Sequence, residues 1–217
     1  MYHYLDDKEF ESKMRRLGGE IMQELCHVLK ENYDIGATFY LVGSGKRKLI
    51  TQNGDQPVDL DYNLEILRCD DFNDCRYLKE SARKSFNKAL NAEGLHDCED
   101  STSSLTTKPI YFTKGNDAEF RFDVCITTRD DDNNYYRLIH KKYGYVLNDE
   151  YFWNMSPDSK DIDEKARFIR NKKRWNSLSE EYLKIKNMYL MRNDHDHPSF
   201  VCYKEAINNV YNFLRLL

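Results

Sequence analysis

The segment VDLDYNLEI, residues 58–66, alternates apolar and polar side chains without interruption. In a β-strand, successive side chains point to opposite faces, so its apolar residues would share one face while Asp59 and Asp61 share the other, with Cβ atoms about 7 Å apart. Two ionised carboxylates at that spacing repel each other, and a cation between them relieves the repulsion. The segment therefore predicts a half-buried strand with an acidic pair on its polar face.

A second alternating segment, FRFDVCI at residues 120–126, carries one more acidic residue. Its phenylalanine, valine and isoleucine side chains would face the core, which leaves Asp123 on the polar face. If this strand pairs beside residues 58–66, Asp123 joins Asp59 and Asp61. Three carboxylates on one sheet face form a hard-oxygen site of the kind that Mg²⁺ prefers, with water and substrate phosphates completing its coordination.

A glycine-rich turn follows the apolar run of residues 37–43. Gly43, Ser44 and Gly45 allow a backbone that aims several N–H groups at one point, and the serine hydroxyl adds a donor for a phosphate oxygen. Lys46 and two further basic residues come next. The P-loop pattern GxxxxGK[ST] is absent, so the turn predicts a short phosphate seat of another type, facing the carboxylates.

Helix and strand patterns fill the rest of the first 132 residues. Residues 7–32 have a helical apolar stripe, with Asp6 and Glu9 placed like a capping box. Residues 74–93 return to a helical period. The segments KPIYFTKG and AEFRFDVCITT, joined around Gly115–Asp117, predict a β-hairpin.

From residue 133 the pattern reads as helical, beginning with YYRLIHKKYGYVL and continuing through 162–174, 178–190 and 199–216. We therefore predict an α+β chain: a catalytic core over 1–132, with a small mixed or antiparallel sheet and flanking helices, and a helical C-terminal lobe over 133–217. In the segment NDHDHP, His195 and His197 resemble metal ligands, but a polar loop between helices is the favoured interpretation.

Composition narrows the classes of function. A formal charge of −4 argues against a broad basic surface for duplex DNA. The six cysteines form no CxxC pair and lie mostly in apolar patterns, which is typical of buried thiols in a reducing compartment. We find no signal-peptide pattern and no apolar run of membrane-spanning length, so we predict a cytoplasmic protein without membrane association.

The order of these motifs resembles the nucleotidyltransferase superfamily related to DNA polymerase β. The resemblance is carried by a helix, a strand, Gly43-Ser44, the Asp59-x-Asp61 strand and the Asp123 strand, and it covers roughly residues 7–128. That superfamily includes antibiotic nucleotidyltransferases, poly(A) polymerases and synthases of oligoadenylates and cyclic dinucleotides.

The resemblance implies a role for each candidate residue. Gly43, Ser44 and Lys46 would bind the phosphates of a nucleoside triphosphate. The three aspartates would bind two Mg²⁺ ions, with Asp59 and Asp61 bridging both and Asp123 completing the one that activates the acceptor hydroxyl. Fourteen residues separate Ser44 from Asp59, and this somewhat long connection leaves the branch of the superfamily open.

The predicted function is Mg²⁺-dependent transfer of a nucleoside monophosphate from ATP or GTP to a hydroxyl, with release of pyrophosphate. The expected acceptor is a small molecule or a nucleotide. Two alternatives remain: a synthase of short or cyclic oligonucleotide signals on the same fold, and a non-catalytic nucleotide-binding or interaction protein. In the resembling enzymes an aromatic residue and a lysine of the helical half contact the nucleotide, but no motif aligns here, so Tyr182, Lys186 and Tyr203 stay outside the predicted site.

Overall fold

The fold is built on a mixed β-sheet. The structure, a computed structural model, describes residues 1–157, 159–194 and 198–216. Its strands form a seven-stranded sheet and a separate two-stranded sheet. In chain order the elements are β1 (Tyr2–Tyr4), α1 (Lys8–Tyr33), β2 (Gly36–Leu41), α2 (Gly43–Arg47), β3 (Thr51–Asn53), β4 (Val58–Arg68), α3 (Cys75–Ala92), β5 (Glu99–Asp100), β6 (Leu105–Thr106), β7 (Phe120–Arg129), β8 (Tyr135–Lys141), a 3₁₀ turn (Val146–Asn148), β9 (Glu150–Met155), α4 (Lys160–Asn171), α5 (Trp175–Met191) and α6 (Ser199–Arg215).

The strand β4 has partners on both sides. It pairs antiparallel with β2 and parallel with β7. In turn, β7 pairs antiparallel with β6 and with β8, and β9 continues the sheet beyond β8. The sheet is therefore mixed, which confirms the predicted α+β class with flanking helices.

The apolar face of the sheet packs against α1 and α3. Leu60 and Leu64 of β4 and Phe122 of β7 are fully buried in a cluster that includes residues of both helices. The close approach of α1 depends on Gly18, because a Cβ atom there would lie 2.4 Å from the hydroxyl of Tyr62. Burial of this face leaves the polar face of β4 and β7 turned away from the core.

The N-terminus of α1 differs from the prediction by one residue. The N-cap is Asp7, whose carboxylate accepts a hydrogen bond of 2.9 Å from the backbone N–H of Phe10. The expected capping pair of Asp6 and Glu9 is therefore wrong. Asp7 satisfies the same free N–H groups from a position one residue further along.

The hairpin predicted around Gly115–Asp117 is wrong in its first strand. Residues 107–119 contribute one isolated bridge, Ile110 to Phe120, and the antiparallel partner of β7 at this end is β6. An aromatic residue of this segment packs against the sheet instead, since the ring centroid of Phe112 lies 4.9 Å from that of Phe120. Burial of aromatic side chains does not require a strand, which is why the pattern misled the prediction.

The helix predicted from residue 133 is also wrong at its start. Tyr135–Lys141 and Glu150–Met155 are the strands β8 and β9, which pair with β7 and with each other. Leu138 is fully buried and His140 nearly so, as alternation in a strand requires, and pairing with β7 overrides the helical spacing. These strands extend the sheet beyond residue 132, and the division at 132/133 stays a prediction.

The helices α4, α5 and α6 form a second apolar cluster. Its buried residues include Ile169, Leu178, Tyr182 and Ile207, and it takes in Leu49 from the segment after α2. We call these three helices the helical lobe. No described helix is long and apolar enough to cross a membrane. The loop predicted around His195 and His197 lies outside the described residues.

Candidate active site

The polar face of the sheet brings the three predicted aspartates onto neighbouring strands. In the parallel pairing of β4 with β7, Asp61 lies opposite Asp123 and Asp59 lies opposite Arg121. This is the pairing on which the sequence prediction depended. Side chains directly opposite each other in a sheet are close enough to interact, so the acidic pair of β4 acquires a third carboxylate from β7.

The carboxylates of β4 hold their protons more tightly than ordinary aspartates. Burial, together with the charges of Asp123 and Asp61, raises the pKa of Asp59 to about 6, against the opposing effects of Arg121 and Lys186. Burial and then the charge of Asp123 also raise the pKa of Asp61. A divalent cation would relieve this repulsion, so the donor set has the chemistry of a magnesium site.

The side chains of the three aspartates are not gathered around a single metal position. Across residues 1–157, 159–194 and 198–216, no three acidic, histidine or cysteine side chains are gathered closely enough to hold one metal ion. Asp123 is instead engaged by β6, because the hydroxyl of Thr106 donates a hydrogen bond of 2.5 Å to its Oδ1 atom. An ionised carboxylate has two oxygens and about four acceptor sites, so this hydrogen bond leaves Asp123 able to bind a metal ion as well.

Gly43 lies directly against Asp61. Its φ of +58° is in the left-handed region, and a Cβ atom at this position would be 2.0 Å from Oδ2 of Asp61. The backbone N–H of Val42 donates a hydrogen bond of 2.8 Å to the carbonyl of Asp61. The glycine-serine segment and the acidic strand therefore meet, as predicted.

The segment Gly43–Arg47 is a one-turn helix, α2, where the sequence predicted an open turn. Lys48 ends it in the left-handed conformation, and the carbonyl of Ser44 accepts a hydrogen bond of 3.0 Å from Leu49. Arg15 of α1 fixes it from the other side by donating a 2.6 Å hydrogen bond to the carbonyl of Gly45. Ser44 is half-buried and Lys46 is exposed.

Several basic side chains near the carboxylates were not predicted. Arg47 and Arg137 both lower the pKa of Asp61, and Lys186 of the helical lobe acts on both Asp59 and Asp61. Arg47 also places its guanidinium 4.2 Å from the ring of Tyr203 in α6. The sequence contains one clue to Lys186, which is a lysine four residues after Tyr182 on the apolar stripe of α5. Arg137 was hidden by the wrong helical interpretation of β8.

No protein-family model matches the chain, and no curated protein matches it by sequence. Solved structures do resemble it. The Vibrio cholerae di-nucleotide cyclase DncV, as a single-residue variant in complex with ATP, GTP and 5MTHFGLU2, gives a TM-score of 0.64 at 12% identity, covering 94% of this chain and 69% of that one. The chain has a nucleotidyltransferase fold.

Two further structures agree with this nucleotidyltransferase fold. Vibrio cholerae DncV, a cyclic AMP-GMP synthase, gives a TM-score of 0.54 at 13% identity over 84% of this chain and 68% of its own. CdnC of E. coli MS115-1, solved with ATP, gives 0.54 at 15% identity over 93% of this chain and 61% of its own. This chain thus spans 61% of CdnC and 68–69% of these two DncV structures, and it spans 58–61% of other DncV structures.

Proposed function

We propose that the protein is a nucleotidyltransferase that joins nucleotides to each other, making short or cyclic oligonucleotides from nucleoside triphosphates. The observation that supports this most strongly is the position of Asp61, which lies opposite Asp123 and directly against Gly43. This arrangement occurs on a fold that resembles that of a di-nucleotide cyclase. The sequence left open a small-molecule or a nucleotide acceptor. The structural neighbours favour the nucleotide, since DncV is a cyclic AMP-GMP synthase.

The phosphates of the donor nucleotide would bind at α2. Gly43 lets the backbone approach closely, Ser44 contributes its hydroxyl, and Lys46 is exposed on the same turn. Lys186 would add positive charge from the helical lobe, since it is within electrostatic reach of both Asp59 and Asp61. Together these groups would orient the triphosphate across the polar face of β4.

Asp59, Asp61 and Asp123 would hold Mg²⁺, which supplies charge stabilisation for the attacking and leaving oxygens. The protein's own task is to position the two nucleotides. The Thr106 hydrogen bond would keep Asp123 in place before substrate binds.

In the proposed reaction a hydroxyl oxygen of one nucleotide attacks the α-phosphorus of another. A new oxygen–phosphorus bond forms while the bond from the α-phosphorus to the pyrophosphate oxygen breaks, and the hydroxyl proton passes to a carboxylate of the polar face or to water. A second transfer within the linear product would close a ring.

Product analysis tests this proposal. The protein would be incubated with Mg²⁺ and each of the four nucleoside triphosphates, alone and in pairs, with mass spectrometry of the products and measurement of pyrophosphate. We expect a linear or cyclic oligonucleotide from at least one combination with no other acceptor added. Transfer that requires an added small-molecule hydroxyl would support the other acceptor class, and nucleotide binding without any transfer would identify a non-catalytic protein.

A further inference from the structure

The strand β1 connects the core with the helical lobe. It pairs with β3, placing Tyr2 opposite Asn53 and Tyr4 opposite Thr51. The hydroxyl of Tyr4 donates a hydrogen bond of 2.6 Å to the carbonyl of Ser179 in α5. The three residues of β1 therefore hold β3, the strand that follows α2 in the chain, against the helical lobe.

Tyr2 is fixed on α5 by its own backbone. Its N–H donates a hydrogen bond of 2.7 Å to Oδ1 of Asn187, and its carbonyl accepts one of 3.0 Å from Nδ2 of the same side chain. This two-point contact sets the direction of the tyrosine side chain. The ring of Tyr2 therefore lies over the neighbouring residue of α5, with the Nζ atom of Lys186 3.9 Å from the ring centroid.

Lys186 is unusually placed for a lysine. It is 8% exposed, and its ammonium donates a hydrogen bond of 2.7 Å to the hydroxyl of Thr51. In the part of the chain that the structure describes, the ammonium makes no ion pair with a carboxylate. Burial lowers its pKa to about 8, while the negative charges of Asp59 and Asp61, together with Cys202, act in the opposite direction.

An ammonium group has three N–H donors. Thr51 accepts one, and the face of the Tyr2 ring stabilises the positive charge without accepting a conventional hydrogen bond. The group therefore keeps donor capacity for an anion while the protein fixes its position. A buried cation that is held but not neutralised is suited to a ligand that brings its own negative charge.

We propose that Tyr2 is a positioning residue for the substrate: its ring, anchored by Asn187, holds the Lys186 ammonium in the orientation that binds the triphosphate. The inference rests on the proposed function, because it takes a nucleoside triphosphate as the ligand of the polar face. Tyr2 acts through Lys186 and does not itself contact the reacting atoms. The aromatic face matters, and the phenol hydroxyl does not.

Three substitutions distinguish the effect of the aromatic ring of Tyr2 from the effect of the size of its side chain. Tyr2→Phe keeps the aromatic face, and Tyr2→Leu removes it while keeping an apolar side chain. Asn187→Ala releases the backbone of Tyr2 and gives a second route to the same effect if Tyr2→Leu fails to fold. His3→Ala is the matched control, since His3 is an exposed residue of the same strand.

Two measurements are made on each variant. NMR of the protein with ¹³C-labelled lysine reports the Lys186 methylene next to the ammonium, assigned by its absence in Lys186→Arg, and the ring of Tyr2 should shift this resonance upfield. Calorimetry with Mg²⁺ and either ATP or inorganic tripolyphosphate reports the anion affinity.

We expect the upfield shift and full affinity in the wild type, Tyr2→Phe and His3→Ala. Tyr2→Leu and Asn187→Ala should lose the shift and bind both anions roughly tenfold more weakly, the size expected for a desolvated cation–π contact. Unchanged affinity in a variant that has lost the shift would overturn the role of Tyr2 and leave the proposed function intact. A wild type that binds neither anion would overturn both.

Discussion

At the scale of single residues, Gly43 satisfies two requirements at once. Its backbone has a positive φ, and its missing side chain leaves room for the carboxylate of Asp61. Either requirement alone favours glycine, because a side chain is strained at positive φ and because a Cβ atom cannot share space with a carboxylate oxygen. The position therefore couples the α2 turn to the acidic strand.

We predict that Gly43→Ala destabilises the protein by about 3 kcal/mol, since backbone strain and the displacement of Asp61 add together. Gly54→Ala is a matched control, because Gly54 has a φ of +54° and no atom within 4 Å of an added Cβ. The control should lose only about 1 kcal/mol from strain. Chemical denaturation measures both values, and equal losses would show that the contact with Asp61 is unimportant.

The acidic pair of β4 should make the ligand-free protein less stable as the pH rises. The folded state holds the proton of Asp59 more tightly than the unfolded chain does, since burial and the charges of Asp123 and Asp61 raise its pKa to about 6 from 3.8. Ionisation of the group between these values therefore costs folding free energy. The cost is present above pH 6 and disappears below about pH 4.

We predict that Asp59→Asn raises the free energy of unfolding at pH 7.5 by about 1 kcal/mol. The value allows for solvent screening, because the Asp59 carboxylate is densely surrounded by protein but its side chain stays open to solvent on the polar face. The gain should shrink at pH 4.5, where wild-type Asp59 is largely protonated. Asp55→Asn, at an exposed position before β4, should change little at either pH. An Asp59→Asn protein no more stable than the wild type at pH 7.5 would contradict this account.

At the scale of elements, the short hairpin of β5 and β6 presents Thr106 to Asp123, and a buried lysine supports it. Lys79 of α3 is 1% exposed and donates hydrogen bonds of 3.2 Å and 3.4 Å to the carbonyls of Ser101 and Ser104. Its ammonium also lies 3.1 Å from Oδ1 of Asp100. His140 of β8 contacts the other oxygen of this carboxylate at 2.6 Å.

We predict that Lys79→Met lowers the free energy of unfolding by about 3 kcal/mol, because it removes one partner of a buried ion pair together with the hydrogen bonds from Lys79 to the carbonyls of Ser101 and Ser104. Amide exchange in β5 and β6 should accelerate in the same variant. Lys84→Met, on the exposed side of α3, should leave both quantities unchanged. Normal exchange in the hairpin of the Lys79 variant would show that other contacts hold it.

The sequence predicted the strands that carry the aspartates better than it predicted the residues and strands that contact them. The strict alternation of residues 58–66 and 120–126 identified β4, β7 and their polar face. It could not show that Thr106 of β6 would donate a hydrogen bond to Asp123. Thr106 lies in a serine- and threonine-rich segment without hydrophobic periodicity, so the sequence does not predict a strand there. Nor could spacing alone distinguish the strand β8 from a helix, since Leu138 satisfies both patterns and only pairing with β7 decides between them.

At the scale of the whole molecule, the site lies where the core meets the helical lobe. Arg47 reaches from α2 to Tyr203 of α6, and Lys186 reaches from α5 towards the carboxylates of β4. These residues are far apart in the sequence and follow no shared motif, so no local pattern connects them. The fold brings the α2 turn, the acidic strands and a buried cation to one place.

The most direct test of the central claim is transfer of the α-phosphate by the wild type and by a variant without Asp123. The protein would be incubated with α-³²P-labelled ATP and GTP in Mg²⁺, and labelled oligonucleotide products would be separated from the substrates. We predict product formation by the wild type and by Asp117→Asn, an exposed control. Asp123→Asn should be slower by at least about a hundredfold. Undiminished transfer by Asp123→Asn, or no transfer by the wild type, would contradict the account.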